Sequence, residues 1–267
     1  QVIMSSNYNL PPKVEMPILL RRIKFVFQPL KYIEDFAQLY GDSFTLPTKD
    51  GPGAVYFSHP EAMEQIFTAN SLEAGRGNSI LKFLVGDNSL ILLEGASHQR
   101  QRKLLAPPFH GNRMRAYGTI ICEISRQVSA QWQTGKPFDI RESMQEITLS
   151  VILRAVFGLD EGSRLDELRQ MIASLLDFLS SPLMSASLFF TSLQKDWGSW
   201  SPWGKVVRLR KQIDDLIYAL IDERRAESDQ NREDILSLMM SARYEDGEAM
   251  SNEELRDELM TLLFAGH

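Results

Sequence analysis

The sequence predicts a mainly helical protein with a small β-sheet near its N-terminus. Three observations carry this expectation. After Ser58-His59-Pro60, apolar residues recur at helical spacing almost to the last residue. Before that point two short runs, Ser43–Leu46 and Ala54–Phe57, read as strands, and the Pro47 to Gly53 link between them holds two glycines and two prolines, which suits a hairpin. The chain has 267 residues, 43% of them hydrophobic and 24% charged, enough to bury a large core in one domain spanning 1–267.

Taken in order, Leu10-Pro11-Pro12 and Pro17 make a stiff extended entry, 10–17, with no helix in it. From Phe25 to Tyr40 the helical spacing of Tyr32, Ile33, Phe36, Leu39 and Tyr40 predicts a helix, stopped by Gly41. Further helices are predicted over 60–68, 97–106, 113–133, 140–157, 163–180, 203–227, 232–241 and 251–267. Residues 70–96 look irregular, with Gly75, Gly77, Gly86 and Gly95 among apolar residues. A long loop of this kind is either functional or a simple connector. The uncharged stretch from Phe178 to Gln194 is interrupted by Pro182 and by Ser and Thr, so it is not expected to span a membrane. It is expected instead to be a mobile connection between two helices, covering a pocket or touching lipid.

The formal charge is -6, from 35 acidic and 29 basic residues, which argues against a nucleic-acid partner. A single cysteine, Cys122, cannot form an internal disulfide, and a reducing, cytoplasmic setting is expected. With four scattered histidines it also excludes zinc-ligand spacing. Cys122 sits mid-helix in Ile120-Ile121-Cys122-Glu123-Ile124 and is expected to be a small buried residue.

The segment from Glu94 to Phe109 carries the strongest chemistry. Between Gly95 and Cys122 there are five Arg or Lys and no acid. His98 and Arg102 are four residues apart and share one helix face, a pairing that suits two carboxylates or phosphates. Arg100 and Lys103 point nearly the opposite way, and with Arg113 and Arg115 they could attract an acidic partner. On charge alone, a solvated basic helix with an incidental histidine remains the alternative. Pro107-Pro108 should end the helix sharply.

Gly95-x-x-His98-x-x-x-Arg102-x-Leu104-x-x-x-x-Phe109 resembles the C-helix signature of cytochromes P-450 of bacterial type, which places that helix at about 97–106. The resemblance implies the helix-rich P-450 fold, with His98 and Arg102 binding the propionates of haem b (iron protoporphyrin IX). The Pro-rich entry, the strand pair, Pro137-Phe138-Asp139-Ile140 and Phe157-Gly158 fall in the family's order too.

Met250-Ser251-Asn252-Glu253-Glu254 is a helix start, with Ser251 and Glu254 spaced as a capping box. Leu255, Leu259, Leu262 and Leu263 follow as an apolar stripe ending in Phe264-Ala265-Gly266-His267. This resembles the family's I helix, here 251–267, in which Ala265 and Gly266 would be the small residues that leave room for dioxygen. Without the resemblance, Gly266 reads as a helix cap. Three Glu-x-x-Arg matches, Glu73 to Arg76, Glu123 to Arg126 and Glu253 to Arg256, precede no cysteine loop of the family's type and are discounted. The axial cysteine is expected beyond residue 267, with no metal ligand in this stretch, so these residues alone should be inactive.

The resemblance implies a haem-dependent monooxygenase that hydroxylates a lipophilic small molecule, of fatty-acid or terpenoid type, with dioxygen. Electrons would come from a separate acidic carrier such as a ferredoxin or flavodoxin, and the protein is expected to be a cytoplasmic monomer. Leu81, Phe83, Leu84, Leu90, Phe178, Leu179, Leu262 and Ala265 are the candidate pocket lining, joined by Ile80, Leu92 and Leu183; ordinary core packing is the alternative for each. The region 163–227 is expected to form the lid. A reading from another class is a non-catalytic helical module whose basic helix holds an anionic lipid or a protein partner.

Overall fold

The computed structural model describes residues 10–48, 53–68, 81–159, 162–179, 181–189, 193–198, 201–227 and 232–266. Ile80, His267 and the Glu73 to Arg76 match lie outside them. The chain forms two compact units, residues 1–72 with 179–195, and residues 73–178 with 196–267.

The first unit opens on the extended entry, where Lys13 bridges Thr45 of the strand pair. Helices α1 (Ile18–Phe27) and α2 (Pro29–Tyr40) follow, packed on each other. The expected single helix from Phe25 thus begins earlier, at Ile18, and is cut in two at Gln28 (φ -144°, ψ 62°). Pro29 is the cause. It has no N–H for the helical ladder, it restricts Gln28, and it suits the first position of a new helix. Strands β1 (Ser43–Leu46) and β2 (Ala54–Phe57) pair antiparallel, Ser43 opposite Phe57 and Leu46 opposite Ala54. Their inner face completes an aromatic core. The Tyr32 and Phe36 rings meet edge-on at 4.8 Å, and Phe44 stacks on Tyr56 at 5.3 Å. Helix α3 (Pro60–Thr68) follows the hairpin. Inside the stretch expected to be a plain connection lies another helix, α9 (Pro182–Phe189), which packs against α1. Met184 and Ser187 are its buried residues among those whose side chains are described.

The second unit holds α4 (Lys82–Val85), α5 (Gly95–Leu105), α6 (Asn112–Ser129), α7 (Ile140–Phe157), α8 (Ser163–Leu179, its last residue counted with the first unit), α10 (Pro202–Ala226), α11 (Ile235–Ser241) and α12 (Asn252–Ala265). Asp139, Ser201, Asp234 and Ser251 cap α7, α10, α11 and α12 through side-chain oxygens. The core is built on four-residue spacing. Leu149 and Leu153 of α7, Ile213, Ile217 and Ile221 of α10, and Leu255, Leu259 and Leu263 of α12 are all buried. α12 sits centrally, packed on α4, α7, α10 and α11.

Cys122 departs from expectation: its side chain is exposed. The buried stripe of α6 runs through Ile124 and Val128, and Cys122 lies two positions before it on another face. Because Ile120, Ile121 and Cys122 are consecutive apolar residues, periodicity could not say which of them faces inward. No described helix is long and apolar enough to cross a membrane.

Candidate functional site

Helix α5 carries the charge pattern singled out in the sequence. Gln101, Leu104 and Leu105 form its buried face. Arg102 and Lys103 fall in its last turn, where cations oppose the negative end of the helix dipole. The helix ends at Ala106, and Pro107-Pro108-Phe109 continue as one 3-10 turn. His98 is half-buried and Arg102 exposed. Among the described residues, no ion pair or side-chain hydrogen bond engages either of them.

The other side of α5 is matched. Arg100 Nη2 pairs with Asp246 Oδ2 at 2.6 Å, and its guanidinium lies 3.9 Å above the Tyr244 ring. Lys103 Nζ pairs with Glu245 Oε1 at 3.0 Å. Both acids come from the turn enclosed by the Arg243–Ala249 bridge. The window that is acid-free in sequence is therefore not acid-free in space. Arg100, Lys103, Arg113 and Arg115 do not make the open positive patch that charge counting suggested. Two are ion-paired at the surface, Arg113 lines a cleft, and Arg115 alone is simply exposed.

Behind α5 lies a buried polar network that sequence reading missed. Arg256, Asp257 and Glu258 are each 2–3% exposed, inside the first turns of α12. The Arg256 guanidinium holds Asp214 of α10 and, at 2.8 Å, Asp257 Oδ1. Asp257 Oδ2 accepts from the backbone N–H of Asn88 at 2.9 Å and from its side-chain amide at 3.1 Å. Glu258 Oε1 accepts from Leu90 N–H at 2.8 Å and from Gln101 Nε2 at 3.1 Å. The Ser89 and Thr261 hydroxyls lie 2.6 Å apart. Tyr244 Oη reaches Gln101 Oε1 at 2.7 Å and Glu254 Oε1 at 3.1 Å. Burial pushes the Tyr244 phenol up to about 12, so it stays protonated. Burial likewise pushes the Glu258 carboxyl up to about 7, against the two hydrogen bonds it accepts.

This network takes in part of the glycine-bearing loop. Of that loop, 81–96 are described, and within them the segment from Val85 to Leu90 is tied to α12 by both backbone and side chains. Gly86 is required there. Its φ is +89°, and a Cβ would run into the Asp257 carboxylate. The one available sequence signal was three successive charges between Leu255 and Leu259 of an apolar stripe. Apart from the adjacent Arg256–Asp257 pair, their partners lie 42 to 171 residues away in sequence, so nothing local pointed to them.

The candidate pocket residues are only partly gathered. Leu81, Phe83 and Leu84 are half-buried on and beside α4, which packs on α12. Phe83 meets the Trp203 ring at 4.7 Å with Arg210 5.2 Å above it, so its ring is engaged in packing. Leu90 and Leu262 are half-buried, as is Phe178 at the end of α8, while Leu179 and Leu183 belong to the first unit. Ala265 is exposed. Gly266 closes α12, and a Cβ on it would collide with Ile152 of α7, so its smallness already has a packing reason.

The donor set on α5 fits a haem. His98 and Arg102, one turn apart and unmatched by any carboxylate among the described residues, are what two propionates would need, whereas Arg100 and Lys103 already have their acids. Comparison with known proteins bears on the family. A family model described as Cytochrome P450 matches residues 10–267. A Mycobacterium tuberculosis protein named cytochrome P450 138 is 39% identical over 259 residues, which is 97% of this chain and 57% of that protein. Cytochrome P450 135B1 of the same species is 35% identical over 266 residues, 98% of this chain and 55% of that protein. The solved structure of retinoic acid-bound cyanobacterial CYP120A1 superposes with a TM-score of 0.75 at 20% identity, over 97% of this chain and 56% of that one, and speaks for the fold. The chain spans somewhat over half the length of the relatives it matches. Across the residues that those relatives share with it, the chain belongs to the cytochrome P450 family.

Proposed function

We propose that this sequence is the part of a haem-dependent monooxygenase that holds the haem propionates and begins the wall of the oxygen site. The observation that carries the reading is the asymmetry of α5. Among the described residues, its His98–Arg102 face has donors without acceptors, and its Arg100–Lys103 face is paired with acids. Bound haem b would supply the activation of dioxygen and the insertion of one oxygen atom into a C–H bond. The residues on the page would bind and orient it. Gln101 and Glu258 would fix the angle of α5 against α12, and Ala265 and Gly266 would keep the wall of the oxygen site low.

A lipophilic substrate is supported by the apolar residues of α4 and by the retinoic acid named for the cyanobacterial structure. Within 163–227, the second unit's α8 and α10 are our candidates for the lid over that substrate. An acidic electron carrier, a ferredoxin or flavodoxin, remains the proposed reductant, but it would have to replace Asp246 and Glu245. Exposed ion pairs of this kind are worth only about 0.2–1 kcal/mol, so a carrier's carboxylates can compete for Arg100 and Lys103. A monomeric, cytoplasmic enzyme completes the proposal.

The test is haem retention in the full-length protein. Each charge-assisted bond from His98 or Arg102 to a propionate is worth about 1.5–3 kcal/mol. The His98→Ala/Arg102→Ala protein should release haem to an acceptor such as apomyoglobin at least about tenfold faster than the parent. Equal release rates would remove the assignment.

A further inference from the structure

We infer that the cleft between α6, the C-terminal turn of α7 and the segment leading into α11 binds a small oxyanion, a phosphate or a carboxylate. The first observation is a pair of orphans. Arg113 Nη1 and Tyr117 Oη are buried and have no hydrogen-bond partner among the described residues, and other atoms of both residues line the same cleft of about 260 Å³. They stand one turn apart on α6 and so share a face. Buried donors are nearly always satisfied, so each exception asks for a missing acceptor.

The second observation is the charge balance around them. The cleft opens into a neighbour of about 630 Å³ that shares Arg113, Arg232 and Glu233. Together the two are lined by five arginines and three carboxylates. The carboxylates are mostly spoken for. Asp234 is held by Arg224 at 2.6 Å and by Ser237, and Glu227 lies between Arg224 and Arg232 at 3.5 and 3.4 Å. Arg154 pairs with Glu123, outside the lining. That leaves Arg113 and Arg243 without an acid among the described residues; Arg243 reaches only the Met240 and Ala242 carbonyls.

The donors select the ligand class. Guanidinium and phenol groups offer hydrogens, the guanidinium charge repels a metal cation, and a guanidinium fork matches the paired oxygens of a phosphate or carboxylate. Burial raises the pKa of Tyr117 above the ordinary phenol value, which keeps its hydroxyl a donor. Glu233 is exposed and opposes an anion at the rim, so it is the natural competitor for the site. None of these residues belongs to α5, and the inference does not depend on haem.

The experiment is calorimetric titration of the full-length protein with inorganic phosphate and, separately, with succinate, at ionic strength held constant by chloride. Saturable binding of at least one of them is expected. Its affinity should fall at least about tenfold in Arg113→Leu, the equivalent of about 1.4 kcal/mol, and measurably in Tyr117→Phe, which removes only one oxygen. Glu233→Gln should strengthen it. A phosphate response with no succinate response assigns the site to phosphate groups, and the reverse assigns it to carboxylates. The inference is overturned if neither anion binds, as would follow if water or other chain segments fill the cleft. It is also overturned if Tyr117→Phe and Glu233→Gln, folded as judged by circular dichroism, bind like the parent.

Discussion

Glu258 should make the folded protein weaker as the pH rises from acid to neutral. Its carboxyl is buried under α5, and burial lifts its pKa from 4.5 to about 7. Below pH 4.5 the group is protonated whether the chain is folded or not. Between 4.5 and about 7 the unfolded chain has lost the proton while the folded chain still holds it, so stability falls with rising pH across that window. Above it the whole cost is present. At about 1.4 kcal/mol per pH unit the cost is roughly 3 kcal/mol. Glu258→Gln keeps the size of the side chain and the oxygen that accepts from Leu90 and Gln101, but has no proton to lose. Urea unfolding of parent and variant at pH 5 and pH 8 isolates the effect, since every other titrating group cancels in the difference. The parent should lose about 2.5 kcal/mol more than the variant between the two pH values, the rest of the cost having accrued below pH 5. Equal losses would refute the account of a carboxyl desolvated in the α5–α12 network.

Gly86→Ala should cost about 2–4 kcal/mol, because it combines a left-handed backbone with a clash against the Asp257 carboxylate; a thermal midpoint unchanged from the parent would mean that contact relaxes freely. Arg100→Glu/Lys103→Glu should slow reduction by an acidic carrier in stopped-flow at low salt, with the deficit shrinking at high salt. Glu245→Gln/Asp246→Asn should do the opposite by removing the carrier's competitors, and unchanged rates in both variants would place docking elsewhere.

What the sequence disclosed depended on how far apart the interacting residues stand. The capping box of α12 is legible because Ser251 and Glu254 are three residues apart, and both of its hydrogen bonds form. The β1–β2 pair is legible because a turn-rich link joins two strand-like runs. The family resemblance rested on the spacing within α5, a local property as well. The break at Gln28 is also local, written in Pro29, but Tyr32, Phe36 and Tyr40 continue the apolar spacing and hide it. The electrostatics of α5 were not legible at all. Asp246 and Glu245 reach Arg100 and Lys103 across 146 and 142 residues of chain, so a window of sequence reports a patch that the fold neutralises. Gln101 looked like one more polar residue of a basic helix. Its burial follows from Glu258 and Tyr244, which lie 157 and 143 residues away.

Those separations also bear on how the chain acquires its shape. The Asn88, Ser89 and Leu90 groups bond to α12 across 169, 172 and 168 residues. Until Thr261 has left the ribosome, those groups can only be hydrated. At ordinary synthesis rates that interval lasts roughly 10–30 s. The strand pair and the α6–α7 hairpin can form early, from contacts nearby in sequence. The segment from Val85 to Leu90 cannot, because closing so long a loop must precede any gain from its hydrogen bonds. The segment that α4 opens, up to Leu90, is therefore among the last parts of this sequence to set, and α12 is the element whose arrival sets it.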